Sequence, residues 1–108
     1  MKVFVDASPT KLCVLLEDGR KIIRDATSPH TNNEAEYLAV IVALTKFPEA
    51  TEVCSDSQLV VRQLNGEYKV NKPELLYLWR RIQALLNNRK AKFIWIPREE
   101  NPAGRLLG

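Results

Sequence analysis

Short runs of alternating apolar and polar residues open this chain, and longer runs with helical spacing follow. KVFVD (2–6) and KLCVLLE (11–17) are rich in β-branched and aromatic side chains and are parted by the breaker SPT, so both read as strands. Asp18-Gly19 leads into a third strand, RKIIRDA (20–26). Asp-Gly between apolar runs predicts a two-residue type I′ hairpin, in which both turn residues take positive φ. At Thr31 the pattern changes. Thr and Asn favour the N-cap, Glu34 and Glu36 suit the positive end of a helix dipole, and apolar residues run on to Phe47-Pro48. Over residues 37–44 this helix is apolar on every side, which requires burial of most of its surface.

ATEVCS (50–55) predicts a fourth strand, and DSQLVVRQLNG (56–66) a short helix capped by Asp56 or Ser57 and ended by Asn65-Gly66. PELLYLWRRIQALLNN (73–88) starts with Pro at the first helical position and repeats apolar residues at Leu75, Leu78, Trp79, Ile82 and Leu85. AKFIWIP (91–97) is a fifth strand, and Asn101-Pro102 opens a last helix that the end of the chain cuts short. The order βββαβααβα predicts an α/β fold, a mixed sheet covered by helices, in a single domain over residues 1–108.

Composition and charge add bounds. With 45% apolar and 27% charged residues the chain has globular composition. No apolar run approaches the ~20 residues of a membrane span, and MKVFVDAS holds no signal-peptide core, so a cytoplasmic protein without membrane contact is expected. Cys13 and Cys54 stand alone in strand-like runs and read as buried thiols, while Trp79 and Trp95 fit core positions. The net charge of +3 is uneven: residues 1–54 hold six basic and eight acidic side chains, residues 55–108 ten and five. A basic half beside an acidic one suggests a surface facing a polyanion. Arg80, Arg81, Arg89, Lys90 and Lys92 are its densest stretch, suited either to phosphate contacts or to a solvated helix end.

Three acids then matter by position. Asp6 ends the first strand, Asp56 follows the fourth, and Glu36 lies in the first turn of the long helix. In open α/β sheets, sites gather beyond the carboxyl ends of parallel strands, so parallel pairing of strands one and four would bring Asp6 and Asp56 together. Singly, each acid has a plain structural role: a strand end, a dipole partner, an N-cap. Three acids at one edge repel one another unless a cation holds them. Oxygen ligands without His or Cys suit Mg²⁺, with Mn²⁺ as a substitute, rather than zinc.

FVDAS (4–8), TNNEAEYLAVIVAL (31–44), VCSDSQLVVRQLNGEYKV (53–70), LLYLW (75–79) and IPREENPA (96–103) together resemble ribonuclease H of the compact bacterial and archaeal type, in family order over nearly the whole chain. The resemblance implies a ribonuclease H-like fold with a five-stranded mixed sheet, three strands antiparallel and two parallel. It also implies Mg²⁺-dependent endonucleolytic hydrolysis of the RNA strand of an RNA–DNA hybrid, giving 5′-phosphate and 3′-hydroxyl ends. By position, Asp6, Glu36 and Asp56 correspond to catalytic metal ligands. Asn32, Asn33 and Gln58 correspond to hybrid contacts that detect ribose 2′-hydroxyls, for which amides are suited as combined donors and acceptors. Thr31 corresponds to a DNA-phosphate contact and is equally a helix cap. No small-molecule cofactor is implied, and a monomer is expected.

The chain departs from the family pattern at one vertex. Where relatives carry a fourth carboxylate after NPA, this sequence has Gly104, and Gly is a poor helix residue with no local reason visible in the sequence. Glu99 and Glu100 are nearby acids that could substitute in part. His30, the only histidine, reads as solvated rather than catalytic. An alternative expectation is therefore a weak or inactive module that binds hybrid or another nucleic acid without turnover.

Overall fold

The computed structural model describes residues 1–25, 31–87 and 89–107. His30, the strand end at Ala26 and the helix end at Asn88 lie outside those residues. The chain forms β1 (Lys2–Ala7), β2 (Lys11–Leu16), β3 (Lys21–Asp25), α1 (Asn32–Lys46), β4 (Glu52–Ser55), α2 (Gln58–Leu64), α3 (Pro73–Leu85), β5 (Lys92–Trp95), a 3₁₀ turn (Arg98–Glu100) and α4 (Pro102–Leu107). The five strands make one sheet in the order β3-β2-β1-β4-β5. β1, β2 and β3 pair antiparallel, whereas β4 is parallel to β1 and β5 parallel to β4. The mixed sheet predicted from the element order is thus the observed one.

The β2–β3 turn differs from its prediction. Leu15 pairs with Lys21, the Leu16 N–H bonds to the Arg20 carbonyl, and the Gly19 N–H bonds back to the Leu16 carbonyl. That is a three-residue loop, Glu17 to Gly19, with Gly19 at φ +100° closing it as a bulge. Asp18 is anchored instead by its side chain, which accepts from Arg20 N and Nε.

α1 begins as its sequence demands. Thr31 accepts from the Glu34 N–H, and Glu34 accepts from the Thr31 N–H, a reciprocal capping box. Tyr37, Val40, Ala43 and Leu44 are buried, and α1 packs on β1, β2 and α3. Leu12, Cys13 and Val14 are buried in succession, so both faces of β2 are covered, and α4 also packs on β1 and β2. Both cysteines are free and buried. No helix of the described residues is long and apolar enough to cross a membrane.

Two aromatic and basic expectations are corrected. Trp79 packs against the core, but Trp95 is 43% exposed on β5, which lies at the edge of the sheet. Arg89 is not a phosphate contact. Its guanidinium turns inward onto the carbonyls of Leu44, Phe47 and Ala50 at 2.5–3.0 Å, closing the C-terminal end of α1, where a cation also complements the helix dipole. Its buried Nε has no hydrogen-bond partner among the described residues, which subtracts from the gain. Arg89→Ala should cost about 2–3 kcal/mol, with Arg89→Lys recovering only part because an ammonium cannot span the three carbonyls. Thermal or urea denaturation measures this.

Candidate functional site

Sheet topology brings the acids together. β1 and β4 are parallel neighbours in the register Phe4 to Cys54, and the same two-residue step onward leads to Asp6 and Asp56. Glu36, in the second turn of α1 rather than the first turn expected from the sequence, reaches the same edge, since its Oε1 accepts from the Ala7 N–H at 3.1 Å. Oxygens of Asp6, Glu36 and Asp56 all lie within 4.8 Å of one another. Ser57, not Asp56, caps α2, accepting from the Val60 N–H, so the choice left open by the sequence is resolved and Asp56 is released to the cluster.

Glu36 is only 5% exposed. Burial pushes its carboxyl up to about 9, and the hydrogen bond it shares with Asp6 and the charges of Asp6 and Asp56 push the same way. Burial also raises Asp6, against the lowering effect of its hydrogen bond with Glu36. Three oxygen ligands of this kind fit a hard divalent cation taking the place of the proton that Glu36 retains.

Linkage sets the sign of a test. Glu36 is protonated more readily in the folded chain than in the unfolded one, where its pKa is the usual 4.5, so the stability it contributes is complete below that value. That contribution is lost as pH rises towards 9. Without divalent cations the folding free energy should therefore fall as pH rises from roughly 5 towards 8, and Mg²⁺ should flatten the slope. Thermal melts in EDTA and in Mg²⁺ read it directly, and a flat profile in EDTA would contradict the proton-sharing arrangement.

Around the acids stand groups whose role the sequence did not disclose. Ser55 donates from Oγ to Glu36 Oε2 at 3.3 Å. The Trp95 indole N–H donates to the Asp56 carbonyl at 3.1 Å. Asn101, 0% exposed, donates from Nδ2 to Asp56 Oδ2 at 2.9 Å. Asn101 reads in sequence only as a helix opener, and the one available signal was the choice of an amide where a hydroxyl would also cap.

The predicted hybrid contacts flank the acids along the chain. Thr31 is the N-cap of α1, Asn32 and Asn33 are its first two residues, and Gln58 is the first residue of α2. Asn32 and Gln58 are exposed; Asn33 opens on a groove lined also by Lys69, Asn71 and Lys72. Glu99 and Glu100 do not join the acid group; both are exposed on the 3₁₀ turn. Gly104 does have a structural reason. A Cβ there would sit 3.1 Å from Asp6 Oδ2, so glycine lets α4 approach the acid more closely than a side chain permits.

A cavity of about 390 Å³ beside Tyr68, Val70, Leu76 and Trp79 carries none of these acids. The acids instead gather at the carboxyl ends of β1 and β4.

A family profile described as reverse transcriptase-like matches residues 14–107. The chain is 41% identical over 83 residues to the bifunctional protein Rv2228c of Mycobacterium tuberculosis, covering 72% of this chain but 23% of that protein. This chain thus spans about a quarter of that relative's length. Among solved structures it is similar to the N-terminal RNase H domain of that mycobacterial protein, with a TM-score of 0.80 and 32% identity over 97% of this chain and 88% of that one. It is likewise similar to LC11-RNase H1 in complex with RNA/DNA hybrid, with a TM-score of 0.82 and 27% identity over 99% of both chains. By the extent of the family match and by its ribonuclease H fold, the chain belongs to the reverse transcriptase-like family of ribonuclease H-like domains.

Proposed function

We propose that this chain is a metal-dependent endonuclease that hydrolyses the RNA strand of RNA–DNA hybrids, using Mg²⁺ or Mn²⁺. The observation that carries the reading is the meeting of Asp6 of β1, Glu36 of α1 and Asp56 of the β4–α2 connection within 4.8 Å at the carboxyl ends of β1 and β4. Similarity to LC11-RNase H1, solved with RNA/DNA hybrid, supports the substrate.

Asp6, Glu36 and Asp56 would hold the cation. When bound, a divalent cation supplies charge stabilisation at the phosphodiester and lowers the pKa of water, so no side chain need attack. The remaining work belongs to the chain. Asn32, Asn33 and Gln58, on the first turns of α1 and α2, read the minor groove of the hybrid through amides able to donate to and accept from a 2′-hydroxyl. Thr31 is already engaged as the α1 cap through Oγ1, so its phosphate contact would use what that hydroxyl has left to donate. Incubation of labelled RNA–DNA hybrid, duplex RNA and duplex DNA with Mg²⁺ tests the reading. Cleavage confined to the RNA strand of the hybrid, with 5′-phosphate products, is expected; equal cleavage of duplex DNA would overturn the substrate assignment.

Gly104 favours a second reading, hybrid binding with little turnover, because one acid of the family pattern is missing beside Asp6. Binding of hybrid without cleavage in either Mg²⁺ or Mn²⁺ would establish it.

A further inference from the structure

The geometry points to Asn101 as the positioning residue of this site: its side-chain amide fixes the Asp56 carboxylate against the end of β1, so that one oxygen of Asp56 is committed and the other is left for a cation. The inference rests on the metal-dependent reading above and adds a residue to it.

Asn101 is fully buried, and each half of its amide is engaged. Its Oδ1 accepts from the Ala103 N–H at 3.1 Å, which caps α4. Its Nδ2 donates to the Val5 carbonyl and to Asp56 Oδ2, both at 2.9 Å. Capping explains only the first of these bonds, and Ser, Thr or Asp would provide it equally well. The two N–H bonds require an amide, because Asp has no donor, and Ser and Thr have one where two are used. Val5 directly precedes Asp6. The two N–H bonds therefore tie the backbone that carries one acid to the side chain of another, across 45 residues of sequence in the case of Asp56.

The consequence is rotational. A surface carboxylate turns freely about its last torsion, whereas Asp56 is held by one oxygen from Asn101 while its main-chain carbonyl is held by Trp95. Ligands fixed in this way lose less freedom on taking a cation, and removal of such outer partners typically lowers metal affinity by roughly 10–100-fold.

Asn101→Ser is the discriminating variant, since its hydroxyl keeps an acceptor for Ala103 and at most one of the two donors without adding a charge beside Asp56; Asn101→Ala removes all of them. Mn²⁺ affinity by calorimetry should fall by roughly 10–100-fold in each. The Mg²⁺ concentration for half-maximal hybrid cleavage should rise by the same factor, with KM for hybrid at saturating Mg²⁺ unchanged. A folded variant with unchanged or tighter Mn²⁺ binding overturns the inference. Should neither variant fold, the unaltered protein decides: the Asn101 side-chain amide resonances should shift on Mg²⁺ titration and lose that response in Asp56→Asn, and resonances indifferent to saturating Mg²⁺ overturn it. Asp56-dependent Mn²⁺ binding without hybrid cleavage would sink the functional reading alone, whereas no Mn²⁺ binding at all would sink both.

Discussion

Asp56→Asn is expected to reduce Mg²⁺-dependent cleavage of the hybrid by about 10³-fold or more while leaving the metal-free protein as stable as before or more so. On the proposed reading the loss follows from removing one charged ligand from a site whose cation would contribute several kcal/mol to charge stabilisation, about 4 kcal/mol corresponding to ~10³ in rate. The second half follows from the structure. Ser57 caps α2, so Asp56 has no helix to hold, and an asparagine Oδ1 can still accept from Asn101. Removing the Asp56 charge also relieves Glu36, whose carboxyl that charge helps to raise. Activity and metal-free stability should thus move in opposite directions, which a merely structural aspartate would not produce. Cleavage kinetics in Mg²⁺ beside thermal melts in EDTA provide both readings. Undiminished hydrolysis would remove Asp56 from the catalytic site, and a large loss of stability in EDTA would make it a structural residue instead.

Why the acids could be found from sequence, and their supports could not, is a matter of range. Asp6 and Asp56 sit at the ends of strand patterns with period two, and Glu36 follows a helix start marked by Thr31 and Glu34; local periodicity is enough to place all three on elements. Their meeting required only that β1 and β4 be parallel neighbours, as they are. Asn101, Trp95 and Arg89 act through long-range hydrogen bonds to groups 39 to 96 residues away, which no local pattern encodes. Trp95 was misplaced for the same reason. An aromatic residue in a strand looks like core unless the strand is known to be the sheet's edge. The hairpin turn differed because Asp-Gly is compatible with both a two-residue loop and a three-residue loop closed by Gly, and the pairing of Leu15 with Lys21 selects the longer one.

Gly104 gives the second large effect. Gly104→Asp should raise the rate of hybrid cleavage about tenfold or more, equivalent to about 1.4 kcal/mol of barrier, by returning a carboxylate to the face of α4 nearest Asp6. The same change should weaken the metal-free protein. A Cβ at this position meets Asp6 Oδ2 at 3.1 Å, so Asp6 must give by a few tenths of an ångström, and a further negative charge enters a cluster that already retains a proton. Gly104→Ala separates the two effects. Alanine brings the Cβ without the charge, and its helix propensity advantage of roughly 1 kcal/mol should be partly cancelled by the Asp6 contact. A stability ranking in EDTA with Asp lowest, together with a cleavage ranking in Mg²⁺ with Asp highest, would show that close packing around Asp6 is kept at the expense of turnover. Equal cleavage by the original chain and the Asp variant, both folded, would show instead that three carboxylates and the Asn101 amide suffice, and that the glycine is there for the approach of α4 alone.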